Sequence, residues 1–146
     1  MPTYVVTAAE GRFTPEEKGE IAKGITHAHS SATGAQGFFA QVIFSPVAAG
    51  NHFLGGKPLK ADHIFVHGQI RAGRTNEQKQ GLLDGIVGVV ARAANTDSRY
   101  VWVYLAELPA AQMVEYGKLL PSPGGELAWL ESMSQEDRDY LTSVGR

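Results

Sequence analysis

Residues 63–107 read HIFVHGQIRAGRTNEQKQGLLDGIVGVVARAANTDSRYVWVYLAE, and three structural signals follow one another along them. His63 to Ile70 is apolar and rich in β-branched and aromatic residues, the pattern of a strand. Thr75-Asn76-Glu77-Gln78 is a capping box: the Thr75 hydroxyl can accept the Gln78 N–H while the Gln78 side chain reaches back. Leu82, Leu83, Ile86, Val89, Val90 and Ala93 then recur at spacings of three and four, one face of a helix. Tyr100 to Glu107 is again a strand. Alternation sets Tyr100, Trp102 and Tyr104 on one of its faces and Val101, Val103 and Leu105 on the other, the aliphatic face being the one expected beneath the helix. Strand, helix and strand of these lengths make a β-α-β unit with a right-handed crossover.

The same order occurs once more, upstream. Tyr4 to Ala8 reads as a strand, and Thr14-Pro15-Glu16-Glu17 as a capping box with Pro at the first helical position. Ile21, Ala22, Ile25, Ala28 and His29 form a helix face, Gly34 is placed to end the helix, and Phe39 to Phe44 reads as a second strand. The two caps, Thr14 and Thr75, stand 61 positions apart. That offset also carries Glu16 onto Glu77, Lys18 onto Lys79, Ile21 onto Leu82, Ile25 onto Ile86 and Val42 onto Val103. One offset that joins caps, helix faces and strands predicts an internal duplication, residues 2–46 and 63–107, within a single domain spanning 1–146. The expected fold is α+β: two fused β-α-β units give a four-stranded sheet with two helices on one face. The Gly/Pro-rich stretch from Pro46 to Lys60 connects the units. A C-terminal arm, 108–146, follows, with helical stretches near Glu126–Met133 and Gln135–Thr142. The sheet face away from the helices needs the arm or another subunit to cover it, so an oligomer is expected.

Composition narrows the chemistry. The chain has 146 residues, 13 Lys and Arg against 15 Asp and Glu, and no Cys. Without a basic excess, nucleic acid is a poor partner. The lack of Cys removes thiol catalysis and thiolate metal sites. No apolar run long enough to span a bilayer and no leader pattern are visible, so no membrane partner and a cytoplasmic setting are expected.

Several residues stand out as candidates for chemistry. If Met1 is removed, Pro2 becomes a secondary amine fixed at the start of a strand, able to move a proton near neutrality. Arg71 and Arg74 flank a turn before the Thr75 cap. Two guanidiniums three residues apart can converge on one carboxylate, beside a helix N-terminus, although arginines in turns are commonly just solvated. His29 shares the apolar face of the first helix, where a satisfied core histidine is the ordinary occupant. His63 and His67 share a strand face, but no third ligand is evident, so no metal and no cofactor are expected. Gly55-Gly56-Lys57-Pro58 lacks the Ser/Thr and spacing of a phosphate loop. Glu115, within Met113-Val114-Glu115-Tyr116-Gly117, is an acid among apolar neighbours, and burial there would suit it to acid or base work.

Pro2-Thr3-Tyr4, the doubled β-α-β unit, Arg71-x-x-Arg74 and Gln112-Met113-Val114-Glu115-Tyr116-Gly117 together resemble the tautomerase superfamily, and within it the cis-3-chloroacrylic acid dehalogenase family. Ile25-Thr26-x-Ala28-His29, Phe53-Leu54-Gly55-Gly56, Ile64-Phe65-Val66-His67-Gly68 and Trp102-Val103-Tyr104 carry the resemblance to about Trp129. It implies a mixed four-stranded sheet like that of macrophage migration inhibitory factor, assembled as a homotrimer. It also implies hydration and dehalogenation of cis-3-haloacrylate-type unsaturated carboxylates to malonate semialdehyde. In that chemistry Pro2 supplies the proton. Arg71 and Arg74 hold the substrate carboxylate with His29 assisting, and Tyr104 and Glu115 position and activate water. The chain departs from the family pattern at Ala35, where a Thr is usual, and at Phe39, where a Leu is usual. Both changes alter the fit of the loop after the first helix. Two other readings are kept: a keto–enol tautomerase of 2-oxo acids with Pro2 as base, and a binding module of the same fold without chemistry.

Overall fold

The computed structural model describes residues 2–36 and 40–144. The elements run β1 (Thr3–Ala9), α1 (Pro15–Thr33), β2 (Gln41–Val47), the short pair β3 (Phe53–Leu54) and β4 (Lys57–Pro58), then β5 (Ile64–Arg71), α2 (Asn76–Ala94) and β6 (Val101–Leu108). The arm adds the short pair β7 (Val114–Glu115) and β8 (Lys118–Leu119), then α3 (Glu126–Glu131) and α4 (Gln135–Val144). The fold is α+β, as expected. Four strands lie in the order β2-β1-β5-β6. The β1–β2 and β5–β6 pairs are parallel and the central β1–β5 pair is antiparallel, so the sheet is mixed.

Both capping boxes form. Thr14 and Thr75 hold the same backbone angles, φ −71° and ψ 161°, and each hydroxyl accepts from the third helical residue at 3.1 Å. Each helix is 19 residues long and ends on a left-handed residue, Gly34 at φ 74° and Asn95 at φ 51°. Between the helices and the sheet lies one core that includes Tyr4, Val6, Ile21, Ile25, Ile64, Val66, Ile70, Leu82, Ile86 and Val90. Ala94, not Ala93, closes the buried face of α2, because the stripe shifts by one position over the last turn of a long helix. Val101, Val103 and Leu105 face this core, and Trp102 and Tyr104 face the other way and stay exposed. Gly68 stands directly across from Tyr4. A Cβ there would lie 2.5 Å from the Tyr4 ring, so the glycine leaves the space that the ring fills.

Some boundaries differ from the sequence reading. β2 continues through Pro46, which an edge strand tolerates because the missing N–H needs no partner. The Phe39 end of the expected strand lies outside the described residues. Arg71 is the last residue of β5 instead of part of the turn, and Tyr100 sits in a 3-10 turn before β6. Two short hairpins, β3–β4 and β7–β8, add strands that no sequence period marks. Gly55 and Gly56 turn the first at φ 61° and 75°, and Tyr116 and Gly117 turn the second at φ 53° and 72°. The arm has its own small core of Leu120, Trp129, Met133 and Leu141, separate from that under the sheet. Among the described residues no helix is long and apolar enough to cross a membrane, and no group of side chains could hold a metal ion.

Candidate active site

Pro2 is buried at the head of β1, and its carbonyl accepts the Gln41 N–H at 2.9 Å. Even-numbered residues of β1 point toward the helices. Extending the β1–β5 register by one residue therefore sets Pro2 opposite Ile70, beside Arg71. Met1, whose removal would free the Pro2 amine, lies outside the described residues. Pro2 and Glu115 line the same cavity of about 390 Å³, walled further by Tyr116 and, from α4, by Tyr140, Leu141 and Val144. Glu115 reaches it because the β7–β8 hairpin carries it at the end of a tight turn. Tyr116 takes a left-handed conformation there that is rare for a bulky residue. Glu115 is half-buried, less enclosed than its apolar sequence neighbours imply.

His29, Arg71 and Arg74 form a second group next to the Pro2 end of the sheet. His29 is 3% exposed, and its Nδ1 lies 2.7 Å from the Tyr4 hydroxyl. Burial, followed by the positive charge of Arg74, lowers the His29 pKa to about 4, so the ring is neutral at physiological pH. Burial likewise raises the Tyr4 pKa and keeps its hydroxyl protonated. Arg74 donates to the Thr33 carbonyl at 3.2 Å, which ties the turn before α2 to the end of α1. Burial and then the charge of Arg71 lower the Arg74 pKa, the mark of two guanidiniums held close together.

Arg71 is 3% exposed, and a charge buried so fully needs partners. The arm provides them. Its Nη1 donates to the Pro121 carbonyl at 2.6 Å and its Nη2 to the Glu126 carboxylate. The Nε atoms of Arg71 and Arg74 are both buried without a partner among the described residues. The two guanidiniums and the neutral imidazole thus make an electropositive end to the sheet, the setting that receives a carboxylate.

Tyr104 is not part of either group. It is 55% exposed on the open face of β6, two strands away from β1, and packs edge-on against Phe65 at 5.0 Å. Of the six residues singled out in the sequence, Pro2 and Glu115 share a cavity, His29, Arg71 and Arg74 cluster nearby, and Tyr104 lies apart within one chain. Ala35 follows the α1 cap, and its N–H donates to the Thr33 hydroxyl at 3.2 Å.

Three residues of the site escaped the sequence reading. Tyr4 was legible in principle: a tyrosine on the buried face of a strand needs a partner for its hydroxyl, and His29 is the polar residue on the facing helix stripe. Glu126 was not, since nothing in the sequence tells which acid meets Arg71 from 55 positions away. Tyr140 was read only as part of a helical stretch in the arm.

Residues 1–133 match the family described as "Putative oxalocrotonate tautomerase enzyme". Among solved structures, the chain is 36% identical to N1, a member of the cis-3-chloroacrylic acid dehalogenase family, with 97% of this chain and 99% of that one covered and a TM-score of 0.92. It is 26% identical to the R7 fused 4-OT, solved as an asymmetric trimer, over 80% of this chain and 94% of that one, at a TM-score of 0.74. It shares its fold with a malonate semialdehyde decarboxylase at 18% identity, over 80% and 91% of the two chains, at a TM-score of 0.66. No curated protein matches it.

Proposed function

The chain belongs to the tautomerase superfamily and, within it, to the cis-3-chloroacrylic acid dehalogenase family, and from this premise we propose that it adds water to cis-3-haloacrylate-type unsaturated carboxylates. The observation that carries the reading is the shared cavity of Pro2 and Glu115, with the buried Arg71, the half-buried Arg74 and a neutral histidine at the same end of the sheet.

Arg71 and Arg74 attract the substrate carboxylate and draw electron density toward it, which leaves C3 electrophilic. Glu115 takes a proton from water as its oxygen bonds to C3, and the C2–C3 π pair moves toward the carboxylate as an enediolate-like charge. Protonated Pro2 delivers its proton to C2. The resulting 3-halo-3-hydroxypropanoate loses halide and a proton to give malonate semialdehyde. Each positioned acid or base contributes about 10²–10⁴-fold, so Pro2→Ala or Glu115→Gln is expected to lower kcat by at least about a hundredfold. With Pro2 as the acid, activity falls as its amine deprotonates, above roughly pH 8 for an ordinary α-amino group.

The uncovered sheet face supports a homotrimer. Ile43, Trp102 and Tyr104 are large exposed residues on that face, and assembly removes them from water. We assign Tyr104 of the partner subunit the role of orienting water in this chain's Pro2 cavity. The proposed single domain, with its duplicated units and arm, is then one third of the working enzyme.

The family match described as a tautomerase favours a second reading, in which neutral Pro2 acts as a base on enols of 2-oxo acids. Enol turnover that survives Glu115→Gln and not Pro2→Ala supports it. The deciding experiment is proton NMR of the protein with cis- and trans-3-chloroacrylate in parallel. Conversion of the cis isomer alone to malonate semialdehyde bears out the hydration reading. Turnover of neither isomer, together with rapid enol ketonisation, replaces it with the tautomerase.

A further inference from the structure

The carboxylate of Glu126 stands where an anionic ligand of Arg71 is expected. It accepts from Arg71 Nη2 through Oε1, and its Oε2 accepts the Gly124 N–H at 2.9 Å, so the backbone of the arm fixes its direction. The loop that carries it is pressed against the arginine turn: Pro121 receives Arg71 Nη1, and a Cβ on Gly73 would lie 2.9 Å from Pro123. Burial pushes the Glu126 carboxyl up, and the hydrogen bond and charge of Arg71 together with the backbone N–H groups of Glu126 and Gly124 more than offset this, so the group stays ionised at neutral pH. The influence of Glu126 also reaches Arg74. Arg71, Arg74 and Glu126 together therefore carry one net positive charge.

We propose that Glu126 is a specificity-determining residue, a tethered carboxylate that restricts the Arg71–Arg74 pair to substrates with a single carboxylate. A site with two free guanidiniums would favour a dicarboxylate. With Glu126 in place, the first substrate carboxylate neutralises the remaining charge, and a second one meets the repulsion of the Glu126 carboxylate. The substrate class is the cis-2-enoic monocarboxylate, and cis-enedioates are rejected. This rests on the reading of Arg71 and Arg74 as the carboxylate site.

The test is calorimetric binding of two unreactive probes, (Z)-but-2-enoate and maleate, which share the cis-enoate frame and differ in a methyl against a second carboxylate. Wild type is expected to bind (Z)-but-2-enoate more tightly than maleate. Glu126→Gln keeps one carbonyl acceptor, for Arg71 or for Gly124 but not for both, loses the charge, and should shift the affinity ratio toward maleate by about tenfold. Glu131→Gln, an exposed change of equal charge on the same helix, should leave the ratio alone. Glu126→Asp, which keeps the charge, should retain the preference, and it stands in if the Gln variant does not fold. A ratio unchanged in Glu126→Gln, or equal gains for both probes, overturns the proposal, as does loss of the preference in folded Glu126→Asp. The parent reading is tested separately by Arg74→Ala. If that variant binds both probes as wild type does, the carboxylate site itself is wrong. If it loses both while Glu126→Gln leaves the ratio fixed, only the role of Glu126 falls.

Discussion

The Tyr4 hydroxyl determines how His29 can act. Held protonated by burial, it is the natural donor to Nδ1, which leaves the imidazole proton on Nε2 as a directed donor. Ring ¹⁵N shifts of His29 should report that tautomer, and Tyr4→Phe should mix it with the other. The same substitution leaves a buried acceptor unpaired and should cost about 1–3 kcal/mol of stability. A pH dependence follows from His29. The unfolded ring takes up a proton near its ordinary pKa of 6.5, and the folded ring resists until about 4. Its contribution is intact above pH 6.5 and is lost as pH falls toward 4, roughly 3 kcal/mol in total. Melting curves of wild type and His29→Gln over that interval should converge as the pH drops. At this scale the sequence was partly informative. Pro2 and Glu115 drew attention through position and surroundings, and Arg71 and Arg74 through spacing. The partners that tune His29 and Arg71, namely Tyr4 and Glu126, come from contacts across 25 and 55 positions, which periodicity cannot reveal.

Elements were more legible than contacts because their signals are local. Both caps formed as written in the sequence, and the two 19-residue helices begin and end 61 positions apart. Short hairpins were missed because two-residue strands have no period to detect, and only Gly55-Gly56 and Tyr116-Gly117 marked them. The central β1–β5 pair is where element geometry and site chemistry meet. Gly68→Ala would drive a methyl into the Tyr4 ring and, through it, displace His29. The expected cost is about 3 kcal/mol, typical of overpacking in a tight core. Chemical denaturation should show it, with the His29 pKa moving back toward 6.5 in whatever folded protein remains.

For the whole molecule, sequence alternation foresaw an uncovered aromatic sheet face, and the structure has one. That single chains leave Tyr104 apart from the Pro2 cavity was not foreseen, because alternation gives the face of a strand and not its distance from another site. The proposed trimer makes a sharp prediction from this separation. Tyr104→Ala and Glu115→Gln proteins, each nearly inactive alone, should recover activity when unfolded and refolded together. Random assembly pairs an intact Glu115 with a neighbour's intact Tyr104 in about a quarter of sites. No recovery in mixed trimers confirmed by native mass spectrometry means that Tyr104 serves its own chain or none.

The arm's separate core has a dynamic consequence. Leu120, Trp129, Met133 and Leu141 share no member with the cluster beneath the sheet, so α4 can open without disturbing the sheet core, whereas α3 stays tied to β5 through Glu126 and Arg71. Regions secured by few buried contacts open at low free energy. Amide hydrogens of residues 135–144, in α4, should therefore exchange well ahead of those in α1 and α2. Because α4 also walls the Pro2 cavity, an occupant there should slow exchange in the arm and leave the sheet unaffected. The arm would then report whether the cavity at Pro2 is occupied.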